Sequence, residues 1–115
     1  MSIKYALIAK ELDCVLCEYT EYHGNFQTIT RVLLRKIKKG SKYSIEYDKF
    51  KFHYINENGI TYLCMTEGGE QDHIAFAYLS DIRKKFIQKY DYDRIEGFYA
   101  YQLEDFVPEL QQLMV

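Results

Sequence analysis

Three cysteines and three histidines carry most of the chemical potential of this chain. Cys14-Val-Leu-Cys17 has the C-x-x-C spacing of redox and zinc sites. A redox pair belongs at a helix N-terminus, where the dipole lowers a thiol pKa. Residues 14–20 read instead as a strand, which predicts the two thiols on opposite faces. A zinc site needs a second pair of ligands, and Cys64, His23, His53 and His73 show no such spacing. The thiols therefore read as structural, with Cys64 a small buried apolar residue. His53 alternates with aromatics and has no carboxylate or nucleophile paired with it, which fits a structural histidine. Glu67-Gly-Gly-Glu70 precedes a helical pattern, but its own charges disfavour an anion and suit a turn with acidic residues at the helix start. Asp91-Tyr-Asp93 lacks the ladder of oxygen ligands of a calcium loop. None of the nucleophile-elbow, phosphate-loop, HExxH or dinucleotide fingerprints is present. No catalytic residue, metal ligand or cofactor-binding residue is assigned, and the expectation is a protein that is not an enzyme and needs no cofactor.

The elements that would position any site belong to one domain, residues 1–115. Hydrophobic residues make up 48% and charged residues 28%, a globular balance. Twelve Tyr and seven Phe with no Trp supply many rings that suit half-buried edges and grooves. The net charge of -2 makes no demand for nucleic acid. Arg31, Arg35, Lys36, Lys38, Lys39 and Lys42 nevertheless crowd one short stretch. That run fits a solvated helix face and loop, or a weak patch for anionic lipid or an acidic partner. An odd cysteine count without a signal peptide points to a reducing cytosolic compartment. No apolar run approaches the roughly 20 residues that span a bilayer.

Residues 3–9 are apolar throughout and predict a central strand; residues 14–20 predict a second, joined to it through Glu11, Leu12 and Asp13. After the break at His23-Gly24, Asn25 suits the N-cap of a helix over about 26–38. Phe26, Ile29, Leu33 and Ile37 form its core stripe, and Val32 and Leu34 widen the apolar arc. Gly40 and Ser41 end it. Tyr43, Ile45 and Tyr47 alternate with polar residues, the pattern of an edge strand. Phe50, Phe52 and Tyr54 alternate over 50–55, and Asn58-Gly59 turns the chain into a third strand of a meander, 60–66. Asp72 suits the cap of a helix over about 73–90 with Ala75, Tyr78, Leu79, Ile82, Phe86 and Tyr90 inward. Asp91 to Gly97 reads as a polar loop. A last helix over about 105–114 gathers Leu103, Phe106, Val107, Leu110, Leu113 and Met114, with Pro108 in its first turn. The order is β-β-α-β-β-β-α-α, an α+β domain with helices covering an antiparallel sheet.

A surface for protein binding is the candidate that remains. Tyr43 and Ile45 lie on the predicted edge strand, whose outer N–H and C=O groups have no partner. The helix before it offers Val32 and Lys36. The two elements either complete the core together or form a groove for an extended or helical peptide.

Several segments together resemble the longin domain at the N-terminus of synaptobrevin-like R-SNAREs of the vesicle-associated membrane protein 7 type. They are Ile3 to Ala9; Gly24-Asn25-Phe26; Phe52-His-Tyr-Ile55; Ile60 to Thr66; Ala75-Phe76 with Leu79, Ile82-Arg-Lys-Lys and Phe86; Tyr99-Ala100; and Phe106, Leu110 and Leu113. The resemblance implies a profilin-like five-stranded antiparallel sheet with one helix on one face and two on the other. It implies a regulatory and sorting domain in vesicle-mediated transport, membrane fusion and exocytosis. Such a domain binds its own SNARE motif, a trafficking adaptor or another SNARE-regulating protein in a groove between the first helix and the third strand. Carried over by position, that groove contains Ile29, Val32, Leu33, Lys36, Tyr43 and Ile45. It also implies a membrane-anchored parent protein whose domain faces the cytosol at a vesicle or endomembrane. A full R-SNARE would also carry a heptad-patterned SNARE motif with its central Arg and a membrane anchor; neither is present in these 115 residues, so the expectation is either an excised domain or a stand-alone longin. A stand-alone longin scaffold of a tethering or coat complex, and more remotely a small-molecule-binding α/β sensor domain, are the alternative readings.

Overall fold

The computed structural model of the chain describes residues 3–11, 14–22, 24–69 and 71–114. Leu12 and Asp13, expected to join the first two strands, lie outside the described residues, as do His23 and Glu70. Five strands run in the order β1 Tyr5–Lys10, β2 Cys14–Thr20, β3 Lys42–Tyr47, β4 Phe50–Glu57 and β5 Ile60–Glu67. The helices are α1 Phe26–Leu34, α2 Asp72–Lys89, the single turn α3 Tyr92–Ile95, and α4 Val107–Gln112, which a 3-10 turn at Glu104–Phe106 introduces. The sheet order is β2-β1-β5-β4-β3, antiparallel at every pair. The expected α+β layout is therefore present. β1 is interior and buried on both faces, β5 holds the middle of the sheet, and β3 is an edge.

Two apolar layers follow from the period-2 alternation of the strands. On one face, α1 covers Tyr5, Leu7, Phe52, Tyr54, Leu63 and Met65, with Leu34 fully enclosed. On the other, α2 and α4 cover Ala6, Ile8, Tyr62 and Cys64, and Phe86 meets Phe106 edge-on at 5.4 Å. The β4–β5 hairpin turns through Asn58 and Gly59, both at positive φ, which matches the right-handed twist of the strands.

Several local expectations need correction. Helix α1 stops at Leu34 instead of about residue 38. Lys36 and Ile37 bond the carbonyls of Leu33 and Leu34 in tighter turns, and these keep Ile37 buried while swinging the chain towards β3. Asp72 is the first residue of α2 and not its cap, and its carboxylate takes Lys51 Nζ at 2.8 Å. The loop after α2 contains the turn α3, pinned by buried Ile95. The two thiols of β2 do not lie on opposite faces. Ile8 pairs with Cys17 and Ala9 with Val15, so Leu16 is an extra residue, and the bulge turns Cys17 onto the α2 face with Cys14.

Candidate protein-binding groove

The groove begins with an i, i+3, i+4, i+7 row on α1 and the turn after it, where Ile29, Val32, Leu33 and Lys36 share one face. Ile29 and Leu33 are half-buried against the cluster beneath α1, and Ile45 of β3 packs on the same cluster. Val32 stands 48% exposed and Lys36 is exposed. On β3, Tyr43 opposes Tyr54 and Ile45 opposes Phe52. The Tyr43 ring lies 6.4 Å from that of Tyr54 but is 61% exposed. Of the six predicted residues, Ile29, Leu33 and Ile45 thus pack on one cluster beneath α1, while Val32, Lys36 and Tyr43 are exposed.

Tyr47, not among those six, extends the same face at 45% exposure, with its ring 6.5 Å from Phe52. The alternation of Tyr43, Ile45 and Tyr47 carries the signal for it. Exposed apolar side chains in a row on one edge exceed what scattered surface residues explain.

Behind the groove, α1 is held by a polar cluster that sequence reasoning missed. Arg31 Nη2 donates to Glu18 Oε1 at 3.0 Å and to the Tyr101 hydroxyl. Glu18 also accepts from the hydroxyls of Tyr5 and Tyr101 and from Gln27. The Glu18 side chain is 8% exposed and that of Arg31 28%. Burial pushes the Glu18 carboxyl up, but hydrogen bonds from Tyr101, Tyr5 and Arg31 outweigh it and hold the pKa below the ordinary glutamate value. Arg31 therefore belongs to this cluster and not to the basic run, whose remaining members Arg35, Lys36, Lys38, Lys39 and Lys42 are exposed. Nothing in the sequence links Glu18 and Arg31 to Tyr101, which lies far along the chain.

Of the residues considered for chemistry, His53 has structural partners. His53 is fully buried; its Nδ1 meets Ser44 Oγ at 2.7 Å and its Nε2 meets Thr66 Oγ1 at 2.8 Å. Its ring packs edge-on against Phe76. Burial pushes the Cys17 thiol up to about 12 and raises that of Cys64 as well, the opposite of an activated nucleophile. No group of three or more His, Cys, Asp or Glu that could hold a metal ion occurs among the described residues. No helix among them is long and apolar enough to cross a membrane.

Comparison with known proteins extends this reading. The family model for the longin, or regulated-SNARE-like, domain matches residues 16–110. Vesicle-associated membrane protein 7B of Dictyostelium discoideum is 38% identical over 116 residues, covering 99% of this chain and 44% of that protein. Vesicle-associated membrane protein 711 of Arabidopsis thaliana is 36% identical over 92 residues, 78% of this chain and 42% of its own length. Human vesicle-associated membrane protein 7 is 32% identical over 91 residues, 78% of this chain and 41% of its own length. The chain spans under half the length of these curated relatives.

Proposed function

The chain belongs to the longin family of regulated-SNARE-like domains, and from that premise we propose that it is the regulatory and sorting domain of a vesicle R-SNARE. Its groove between α1 and β3 takes either an R-SNARE motif of the parent protein or a trafficking adaptor. The observation that carries this reading is that Val32 of α1 and Tyr43 of β3 are exposed while Ile29, Leu33 and Ile45 of the same two elements are half-buried on one cluster.

The mechanism is competition for one surface. An amphipathic segment lays apolar side chains along the α1 row, or an extended one adds to the β3 edge. Whichever partner binds shifts the population between a closed state, with the SNARE motif held on the domain, and an open one that can assemble. A shift from almost fully closed to almost fully open requires a partner that binds the open state about 5.5 kcal/mol more tightly than the closed one. The exposed lysines beside the groove favour a partner with acidic residues near its apolar anchors. The same lysines offer a weak contact for anionic lipid if the parent protein is membrane-anchored and holds this domain at the cytosolic face of a vesicle or endomembrane. Nuclear magnetic resonance titration with an R-SNARE-motif peptide tests the groove. Saturable shifts at Val32, Tyr43 and Ile45 support it, and shifts confined to another face remove it.

A further inference from the structure

The two edges of the sheet are treated differently. The outer edge of β2 is interrupted by the bulge at Leu16 and covered by the chain after α3, where Tyr101 N–H donates to the Val15 carbonyl at 2.8 Å and Leu103 N–H to that of Leu16 at 3.1 Å. The β3 edge has no bulge and no proline, and its six residues pair with β4 in unbroken register. Among the described residues, none donates to or accepts from its outer backbone groups. Such an edge is a template for another strand.

The register on β4 fixes which groups face outward. Asn56 N–H donates to the Ser41 carbonyl at 2.8 Å, which makes residues 41, 43, 45 and 47 the hydrogen-bonded positions towards β4. The N–H and C=O of Lys42, Ser44 and Glu46 therefore point away from the sheet. An antiparallel partner bonds this edge only if its own outward residues stand opposite those three.

We propose that two copies of this chain pair through β3, antiparallel, with Ser44 facing Ser44 of the second copy. In that register Lys42 stands opposite Glu46 of the second copy, and Glu46 opposite its Lys42. All three outward positions meet outward positions, and each pair exchanges two backbone bonds. Tyr43 falls opposite Ile45 of the second copy in the closely spaced, non-hydrogen-bonded positions, where side chains touch most. The strand is thus complementary to itself in backbone pattern, charge and apolar contact. Shifting the register by one residue sets outward groups against inward ones, and centring on Ile45 keeps outward against outward but sets Glu46 opposite Ser44 and loses both charge pairs. The two sheets join into one, with both α1 helices on the same side, and each groove is bordered by the other copy's Tyr43 and Ile45. Dimerisation and groove occupancy then compete. The proposal goes beyond the groove reading and stands without it.

The test is a charge reversal followed by sedimentation or light scattering over a concentration series. The wild type is expected to show a monomer–dimer equilibrium that weakens with salt. Lys42→Glu and Glu46→Lys, each alone, place like charges opposite each other twice and raise the dissociation constant by about tenfold or more. An equal mixture of the two variants restores both pairs and associates within about threefold of the wild type. The mixture also shows that both variants are folded. A wild type that stays monomeric to about 1 mM, including one that takes up an R-SNARE-motif peptide along β3, overturns the proposal. So does a dimer that ignores both reversals, or a mixture that fails to associate.

Discussion

The Tyr101 hydroxyl donates to Glu18 Oε1 at 2.6 Å across 83 positions of sequence, and the same carboxylate holds Arg31 of α1. One buried charge thereby ties together the sheet, the groove helix and the chain leading to α4. Tyr101 adopts a left-handed backbone (φ 60), unfavourable for a residue with a Cβ, and its N–H bond to Val15 together with the Glu18 contact holds it there.

Loss of that contact has a defined cost. Tyr101→Phe removes two hydrogen bonds at a half-open site, the one donated to Glu18 and the one accepted from Arg31, and is expected to lower stability by about 1–2 kcal/mol at neutral pH. Glu18 has its pKa lowered in the folded state. Its contribution is therefore complete above the unfolded value of 4.5 and is lost as pH falls through the folded value. Urea denaturation of Tyr101→Phe should show the deficit at pH 7 and a smaller one in acid.

His53 supplies a second pH dependence, in a higher window. Burial lowers its pKa from 6.5, Asp72 opposes that and Lys51 adds to it. The unfolded chain therefore binds the proton more readily, so stability is present above about pH 6.5 and falls as pH drops below it. The denaturation midpoint should decline between pH 7 and pH 5, and His53→Gln should flatten that decline at the expense of stability at pH 7. A midpoint independent of pH in the wild type would show that the imidazole is not held neutral.

Phe106 closes the face opposite the groove. It is fully buried, edge-on to Phe86 and 6.2 Å from Tyr90. Phe106→Ala should cost about 3–5 kcal/mol, a large share of the about 5–15 kcal/mol that holds a domain folded. Calorimetry should show the melting temperature lowered by about 10 °C or more.

The strands and helices were legible because their periods are clean: Phe50, Phe52 and Tyr54 alternate, and Phe26, Ile29 and Leu33 recur every turn. The edge position of β3 followed from its polar alternation. What was hidden depends on pairing partners far along the chain. The side to which Cys17 points is set by a bulge against Ile8 and Ala9. Arg31 looks like one more cation in a basic run until Glu18 and Tyr101 are beside it. The early end of α1 follows from like charges at Arg35, Lys36, Lys38 and Lys39, which gain nothing from further helical turns. Ile95, a single apolar residue among charges, gave no periodic signal for α3.

The groove is tested most directly by one substitution that leaves the core alone. Ile45 packs on the cluster beneath α1, so its replacement confounds folding with binding. Tyr43 is mostly exposed, and Tyr43→Ser should change stability by no more than about 0.5 kcal/mol. Titration of an R-SNARE-motif peptide into the wild type and into this variant, read by calorimetry and by amide shifts, is the decisive measurement. The expected result is saturable binding to the wild type with shifts at Val32, Tyr43 and Ile45, weakened about tenfold or more in the variant, as for loss of an aromatic anchor. Equal affinity for both proteins, or no binding to the wild type, would contradict a peptide-binding groove between α1 and β3.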